Sequence, residues 1–529
     1  MKIRTLATVL MAFALCITTA RSQSVSDDGR DWLTYSGNDA GWRYSKLDQI
    51  NRQNIRQLAP KWVFQTGDLG KFETTPLVEN GVMYGTAQNG KAFALDARTG
   101  KAIWQYNPNM PADIRACCGN VNRGFAIHGN KLFMATLDAH VIAMDTRTGN
   151  TLWDTKAIDY KLGYSFTVAP LVVKDKVVVG ISGGEFPIRG FVDAYYMDTG
   201  KRAWRFYTIP GPGEPGHESW TGDSWKYGGA PAWETGSYDP ELNLIYWGTG
   251  NPAPSNYGGN RRGSNLYSNS MLALDADTGQ LKWHFQFTPH DLWDYDATQT
   301  PILVNETWKG KSRKLLLQAN RNAFFYALDR ETGEFLFAKP FAQQNWAKEI
   351  APDGKPVGNP DAIPTKTGVK VCPGWAGGVN WNPPSYSPQT KLFYVNARED
   401  FCTIFGGNSE TPIPGRYFYG STFAPPANQK DWGALRALDP LTGDVKWEFK
   451  MYSAGWGGVL TTAGGLVFTG DNEGNFMAFD AATGKNLWHF QTGSPIFAAP
   501  MSYELDGKQY IVIPAGSVLF AFGLPDAVH

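Results

Sequence analysis

The chain has 529 residues, with 49 basic and 49 acidic side chains and a formal charge of zero. That balance argues against a polyanionic partner such as a nucleic acid and against a charged membrane surface. Its 58 glycines, 33 prolines and 20 tryptophans point to a loop-rich, aromatic, all-β protein.

Residues 1–22 read as a secretory signal peptide. Lys2 and Arg4 open it, and an apolar run extends from about Leu6 to Ile17. Small and polar residues follow, with cleavage expected at Ala20 or a few residues later. The run falls short of the roughly 20 residues a membrane span needs, and no later stretch approaches that length. Leu15 is too large to precede a lipidated Cys16. The expectation is an exported, periplasmic chain without a membrane span. Removing the signal leaves four of the five cysteines, an even number in an oxidising compartment.

From residue 23 one pattern recurs: Ala, apolar, Asp, two variable residues, Thr-Gly, three variable residues, Trp. It reads "ALDARTGKAIW" ending at Trp104, "AMDTRTGNTLW" at Trp153 and "ALDADTGQLKW" at Trp283. It returns as "ALDPLTGDVKW" at Trp447 and "AFDAATGKNLW" at Trp488. Weaker copies put Tyr196 in place of the Asp before Trp204, and Phe337 in place of the Trp; "LAPKWVF" around Trp62 keeps only the closing aromatic. Each copy reads as a strand, a tight turn and a second strand. Short apolar runs such as "GVMYGTA", "KLFMATL" and "KVVVGIS" precede them.

Several strands per unit, repeated at roughly 40 to 55 residues, indicate a β-propeller. The expected fold is all-β: one eight-bladed β-propeller over residues 23–529, with tryptophan-docking repeats. Long insertions fall before Trp283 and between Phe337 and Trp447. Closure is expected between the C-terminal "SVLFAFG" and early strands near "DWLTYSG".

A propeller does not identify a function, so polar residues outside the repeat must do so. Cys117 and Cys118 are adjacent. Their Cα atoms lie about 3.8 Å apart, under the roughly 4.4 Å minimum of ordinary disulfides. A bond between them would close a small strained ring that adds almost no loop-closure stability. Pairing of each with Cys372 or Cys402 is the alternative. No Cys-x-x-Cys-His run attaches a haem, no Gly-x-Gly-x-x-Gly unit supports a nicotinamide, and the seven histidines form no zinc motif.

The segments "CCGNVNRG", "GISGGEF", "YWGTGNPAP", "PHDLWDYD" and "GWGGVL" resemble, in order, those of pyrroloquinoline quinone (PQQ)-dependent alcohol dehydrogenases. The resemblance spans essentially the whole mature chain. In that family adjacent cysteines form a disulfide lying flat on the quinone, which implies Cys117–Cys118 and leaves Cys372–Cys402 as a second bond. It also implies a stacking role for Trp233 and a carboxylate-binding role for Arg123. Further cofactor contacts are implied for Glu73, Thr167, Ser182, Gly183, Gly184, Arg321, Asn380, Trp456 and Gly457.

The metal site implied by the resemblance comprises Glu185, Asn251, Asp294 and Asp296. Hard oxygen donors suit calcium-like ions rather than zinc or copper. Calcium-dependent relatives carry a small uncharged residue where this chain has Asp296, and lanthanide-dependent relatives carry Asp. A lanthanide is therefore favoured, with calcium the alternative. Asp294 is the implied catalytic base and Arg321 the implied cation near the reactive quinone oxygen. The expected activity is oxidation of a small primary alcohol to an aldehyde, with electrons passing to a soluble cytochrome c. A homodimer is left open. The alternatives are a non-catalytic scaffold propeller and a sugar or polyol dehydrogenase on PQQ.

Overall fold

The computed structural model describes residues 29–526, so the expected signal peptide lies outside the described residues. Among them are seven sheets of four strands and one of five. Most follow the chain as antiparallel meanders. One runs Leu77–Glu79, Val82–Thr86, Ala92–Asp96 and Ala102–Tyr106. Together the sheets build an all-β propeller. The long insertion between Phe337 and Trp447 adds two small sheets: Ala347–Ile350 with Pro356–Gly358, and Val369–Val371 with Thr403–Gly407 and Ser421–Ala424. No helix among the described residues is long and apolar enough to cross a membrane.

Each residue of the repeat has a physical task. Asp96 Oδ1 accepts the backbone N–H groups of Arg98 and Thr99, at 2.9 and 3.0 Å, and so fixes the turn. Asp145, Asp275, Asp329 and Asp480 do the same in their copies. Gly100, which ends that turn, has φ +70, and a Cβ there would stand 2.5 Å from the Trp62 ring. Backbone conformation and close approach both demand glycine.

The alanine of each copy is the cross-strand partner of its closing aromatic. Ala94 faces Trp104, Ala143 faces Trp153, Ala194 faces Trp204 and Ala273 faces Trp283. Ala327 faces Phe337, Ala437 faces Trp447 and Ala478 faces Trp488. A small residue beside each broad ring leaves room for the adjoining sheet. The indoles reach across that boundary: Trp104 donates to the Thr146 carbonyl at 2.9 Å, and Trp447 to that of Ala481 at 3.0 Å.

Closure differs from the sequence expectation. Val518–Gly523 pairs with Ala59–Gln65, not with the segment near "DWLTYSG". Trp32 is instead buried, bridges to Val78, and lies 5.7 Å from the Arg43 guanidinium. A second N-terminal segment fills backbone valences elsewhere. The carbonyls of Asp39, Ala40, Trp42 and Arg43 accept N–H groups from Tyr238, Leu303, Tyr386 and Thr461, in four different sheets. Those strands would otherwise bury unpaired donors.

Candidate active site

A cavity of about 380 Å³ opens among the loops that lead into the first strands of the sheets. Glu73, Arg123, Thr167, Trp233, Asp296, Asn380 and Trp456 each precede such a strand by a few residues. Repetition of the sheet therefore delivers side chains far apart in sequence to one place. Glu73, Cys117, Cys118, Arg123, Thr167, Ser182, Gly183, Gly184, Glu185, Trp233, Asp294, Asp296, Arg321, Asn380 and Trp456 all line the cavity.

Two residues singled out from the sequence do not. Asn251 lies buried just beneath Gly184, its Nδ2 donating to the Gly184 carbonyl at 3.1 Å. Gly457 faces the adjoining backbone instead, its carbonyl accepting from Asn396 Nδ2 at 2.6 Å.

Cys117 and Cys118 are bonded to each other, and Cys372 is bonded to Cys402. Both vicinal sulfurs and a Glu185 carboxylate oxygen lie within 4.8 Å of one another. Sulfurs joined in a disulfide carry no thiolate charge, so the pair acts here as a wall rather than as ligands. Lys71 donates to the Cys118 carbonyl at 3.3 Å and holds the loop.

The acidic cluster is organised by its neighbours. Arg321 reaches Asp294 Oδ2 at 2.7 Å through Nη2 and Asp296 Oδ2 at 2.6 Å through Nη1. Trp233 Nε1 also donates to Asp296 Oδ2, at 3.0 Å, and the Asn251 amide donates to Asp296 Oδ1. Asp294 has φ 67, a conformation L-residues rarely adopt. The Asp291 carboxylate holds it there, accepting the N–H groups of Trp293 and Tyr295 on either side at 2.9 and 2.8 Å.

Burial, with Asp296 nearby, pushes Glu185 up to about 7. Burial also holds Asp294 well above the usual carboxylate range; Asp296 and Glu185 add to this and Arg321 opposes it. Asn251 Oδ1 and Asp294 Oδ1 are buried without a hydrogen-bond partner. Orphaned oxygens beside crowded buried acids are what a hard cation would relieve, so the donor set fits one. The cavity likewise fits a flat, polyanionic cofactor, with Trp233 and the disulfide in its wall and the Arg123 guanidinium 4.9 Å from the Trp233 ring.

Three features were not singled out from the sequence. Trp381 lines the cavity beside Asn380 and lies 5.1 Å from Arg123. Glu234 follows Trp233 and pairs with Arg123 at 3.1 Å. Phe423 enters from the inserted strand Ser421–Ala424, and Tyr419 from the loop just before it. Trp381 directly follows Asn380, which the sequence did single out; nothing local marks the others.

The chain belongs to the PQQ-dependent alcohol dehydrogenase family: residues 32–364 and 426–511 match the family described as "PQQ: Glucose/ethanol/alcohol dehydrogenase, beta-propeller domain". It is 43% identical to the quinoprotein alcohol dehydrogenase PedH of Pseudomonas putida KT2440, over 90% of this chain and 84% of that protein. Identity to the lanthanide-dependent methanol dehydrogenase of Methylacidiphilum fumariolicum SolV is 40%, covering 96% of this chain and 89% of that one. A solved europium-containing methanol dehydrogenase superposes with a TM-score of 0.90 at 35% identity, covering 94% of this chain and 99% of that one. The protein is thus a PQQ-dependent alcohol dehydrogenase.

Proposed function

We propose that the chain oxidises primary alcohols to aldehydes in the periplasm, on metal-bound PQQ, and passes the electrons to a soluble cytochrome c. The described residues of the expected 23–529 domain, 29–526, form one unit, an eight-bladed propeller docked through its tryptophans. The observation that carries the site assignment is the pair of orphaned oxygens, Asn251 Oδ1 and Asp294 Oδ1, with the charge of Glu185 acting on Asp294.

When bound, PQQ supplies the two-electron acceptor and the metal a Lewis acid. Glu185, Asn251, Asp294 and Asp296 would hold the ion. Arg123 would hold a cofactor carboxylate, with Trp233, Trp456 and the disulfide excluding water. Glu73, Thr167, Ser182, Gly183, Gly184 and Asn380 supply further polar contacts. Asp294 takes the hydroxyl proton of the alcohol, and Arg321, already fixed by two carboxylates, presents a positive charge where negative charge develops. Asp296 adds a third protein carboxylate, which favours a trivalent ion. The relatives named as lanthanide-dependent and europium-containing support that choice. The absence of a Cys-x-x-Cys-His run in the sequence supports a separate electron carrier.

The test is reconstitution of metal-free protein with PQQ and either lanthanum or calcium, followed by dye-linked oxidation of a panel of alcohols and sugars. Turnover of small primary alcohols with lanthanum supports the reading. Turnover of sugars alone, or none under either metal, overturns it.

A further inference from the structure

Arg123 is clamped before any ligand reaches it. Its Nη2 lies 2.8 Å from Glu73 Oε2 and its Nε 3.1 Å from Glu234 Oε2. All three side chains are buried, Glu234 completely. The guanidinium is flanked by Trp233 and Trp381, at 4.9 and 5.1 Å.

The other charged and titratable groups that act on Glu234 belong to the N-terminal segment: Tyr35 and Arg43. Among the described residues Arg43 donates to neutral acceptors, the carbonyls of Tyr35 and Pro500 and the Thr75 hydroxyl. The Thr235 amide donates to Glu234 Oε1 at 3.1 Å. Two buried cations, Arg123 and Arg43, thus face two acids, Glu73 and Glu234, and these four groups sum to zero when all are ionised; the exposed Lys71 acts on Glu73 from the mouth of the cavity.

A ligand carboxylate on Arg123 makes a third anion in this enclosure. An uncompensated buried charge costs far more than binding a proton. Glu73, though buried, lines the cavity and so faces a bound ligand, whereas Glu234 does not. We propose that Glu234 is a positioning residue of the cofactor site that takes up one proton when the ligand's carboxylate binds Arg123. Burial already lifts Glu234 to about 7, in the direction this requires. This rests on the reading of Arg123 as a PQQ-carboxylate site. Its consequence is that cofactor affinity depends on pH through a group the cofactor does not touch.

The experiment measures PQQ dissociation at saturating metal between about pH 7 and 9, in wild type and Glu234→Gln. Uptake of one proton makes wild-type affinity fall more steeply than that of the variant, by up to about tenfold per pH unit. Infrared difference spectra of the holoenzyme locate the proton: Glu234→Asp should move the carbonyl band of a protonated carboxyl, while Glu73→Asp leaves it in place. The Asp variant retains an acid at the site, so the measurement survives if Glu234→Gln does not fold. Parallel pH slopes, or a band that moves only with Glu73→Asp, overturn the proposal. Failure of PQQ to bind under any condition overturns instead the functional reading beneath it.

Discussion

Trp62, near the start of the chain, is the cross-strand partner of Ala521, near its end. The pair completes the alanine–aromatic pattern of the repeat with one member from each terminus. Trp62 also donates its indole N–H to the Ala97 carbonyl at 3.1 Å, so it ties the closing sheet to the next. Trp62→Ala should cost about 3 to 5 kcal/mol of stability. Trp62→Phe, which loses chiefly the hydrogen bond, should cost about 1 kcal/mol. Chemical denaturation followed by circular dichroism reads both, and a Trp62→Phe variant as stable as wild type would show that the indole hydrogen bond is not a clasp.

The two disulfides should part company. Cys372–Cys402 joins residues 30 apart in sequence, and its removal should cost about 3 kcal/mol. Cys117–Cys118 closes no loop, so a Cys117→Ser/Cys118→Ser double variant should unfold within about 1 kcal/mol of wild type while losing cofactor affinity. Denaturation curves and PQQ titrations of the two double variants make the comparison. A large stability loss from the vicinal pair would contradict it.

Asp294→Asn keeps the shape of the site and removes the proton acceptor. Turnover should fall by roughly 10² to 10⁴, with a further loss from weakened metal binding. The check is turnover at saturating metal and PQQ, with both verified as bound. Near-normal rates would remove Asp294 from the role of base.

Asp296→Ala should reduce lanthanum affinity by roughly tenfold or more relative to calcium, since it deletes a charge at the site. It also frees Arg321 Nη1 and Trp233 Nε1, both now held by Asp296 Oδ2. Calorimetric titration of each metal into metal-free variant and wild type distinguishes a ligand from a residue that merely orients Arg321. An unchanged lanthanum-to-calcium ratio would favour the second.

Burial raises Asp39 to about 6 from an ordinary value near 3.8. In that window the folded protein binds more protons than the unfolded chain, so this group's contribution to stability falls as pH rises from 3.8 to 6. Asp39→Asn should therefore stabilise the neutral-pH protein, on the order of 1 to 3 kcal/mol, with no gain at pH well below the window. Melting curves of both proteins across pH test the sign.

The repeat was legible because its chemistry is local: an Asp–Thr–Gly turn, an alanine and an aromatic all lie within eleven residues, and each is fixed by its nearest neighbours. Most of the cavity was legible because its residues sit in short motifs with recognisable company. Closure was not. "DWLTYSG" alternates like a strand, yet Trp32 and Tyr35 lie against Arg43, a contact set by residues buried in the centre rather than by pattern. Glu234 was missed for a similar reason. An acid after a tryptophan is unremarkable in a sequence and becomes informative only when Glu73 is found on the same guanidinium.

The stretch from Asp39 to Arg43 has a consequence for how the chain comes to be folded. It is made early, yet its four carbonyls await amides at Tyr238, Leu303, Tyr386 and Thr461. A polypeptide emerging from its first residue onward can fill these carbonyls only one at a time, and that of Arg43 stays open until Thr461 is made. Contacts so distant along the chain form slowly. The ring of sheets can assemble step by step in order of synthesis, but its centre can be laced only at the end. Premature release of a chain cut short before Thr461 should therefore yield ordered sheets around an unfilled middle, and exposed backbone there is an invitation to aggregate.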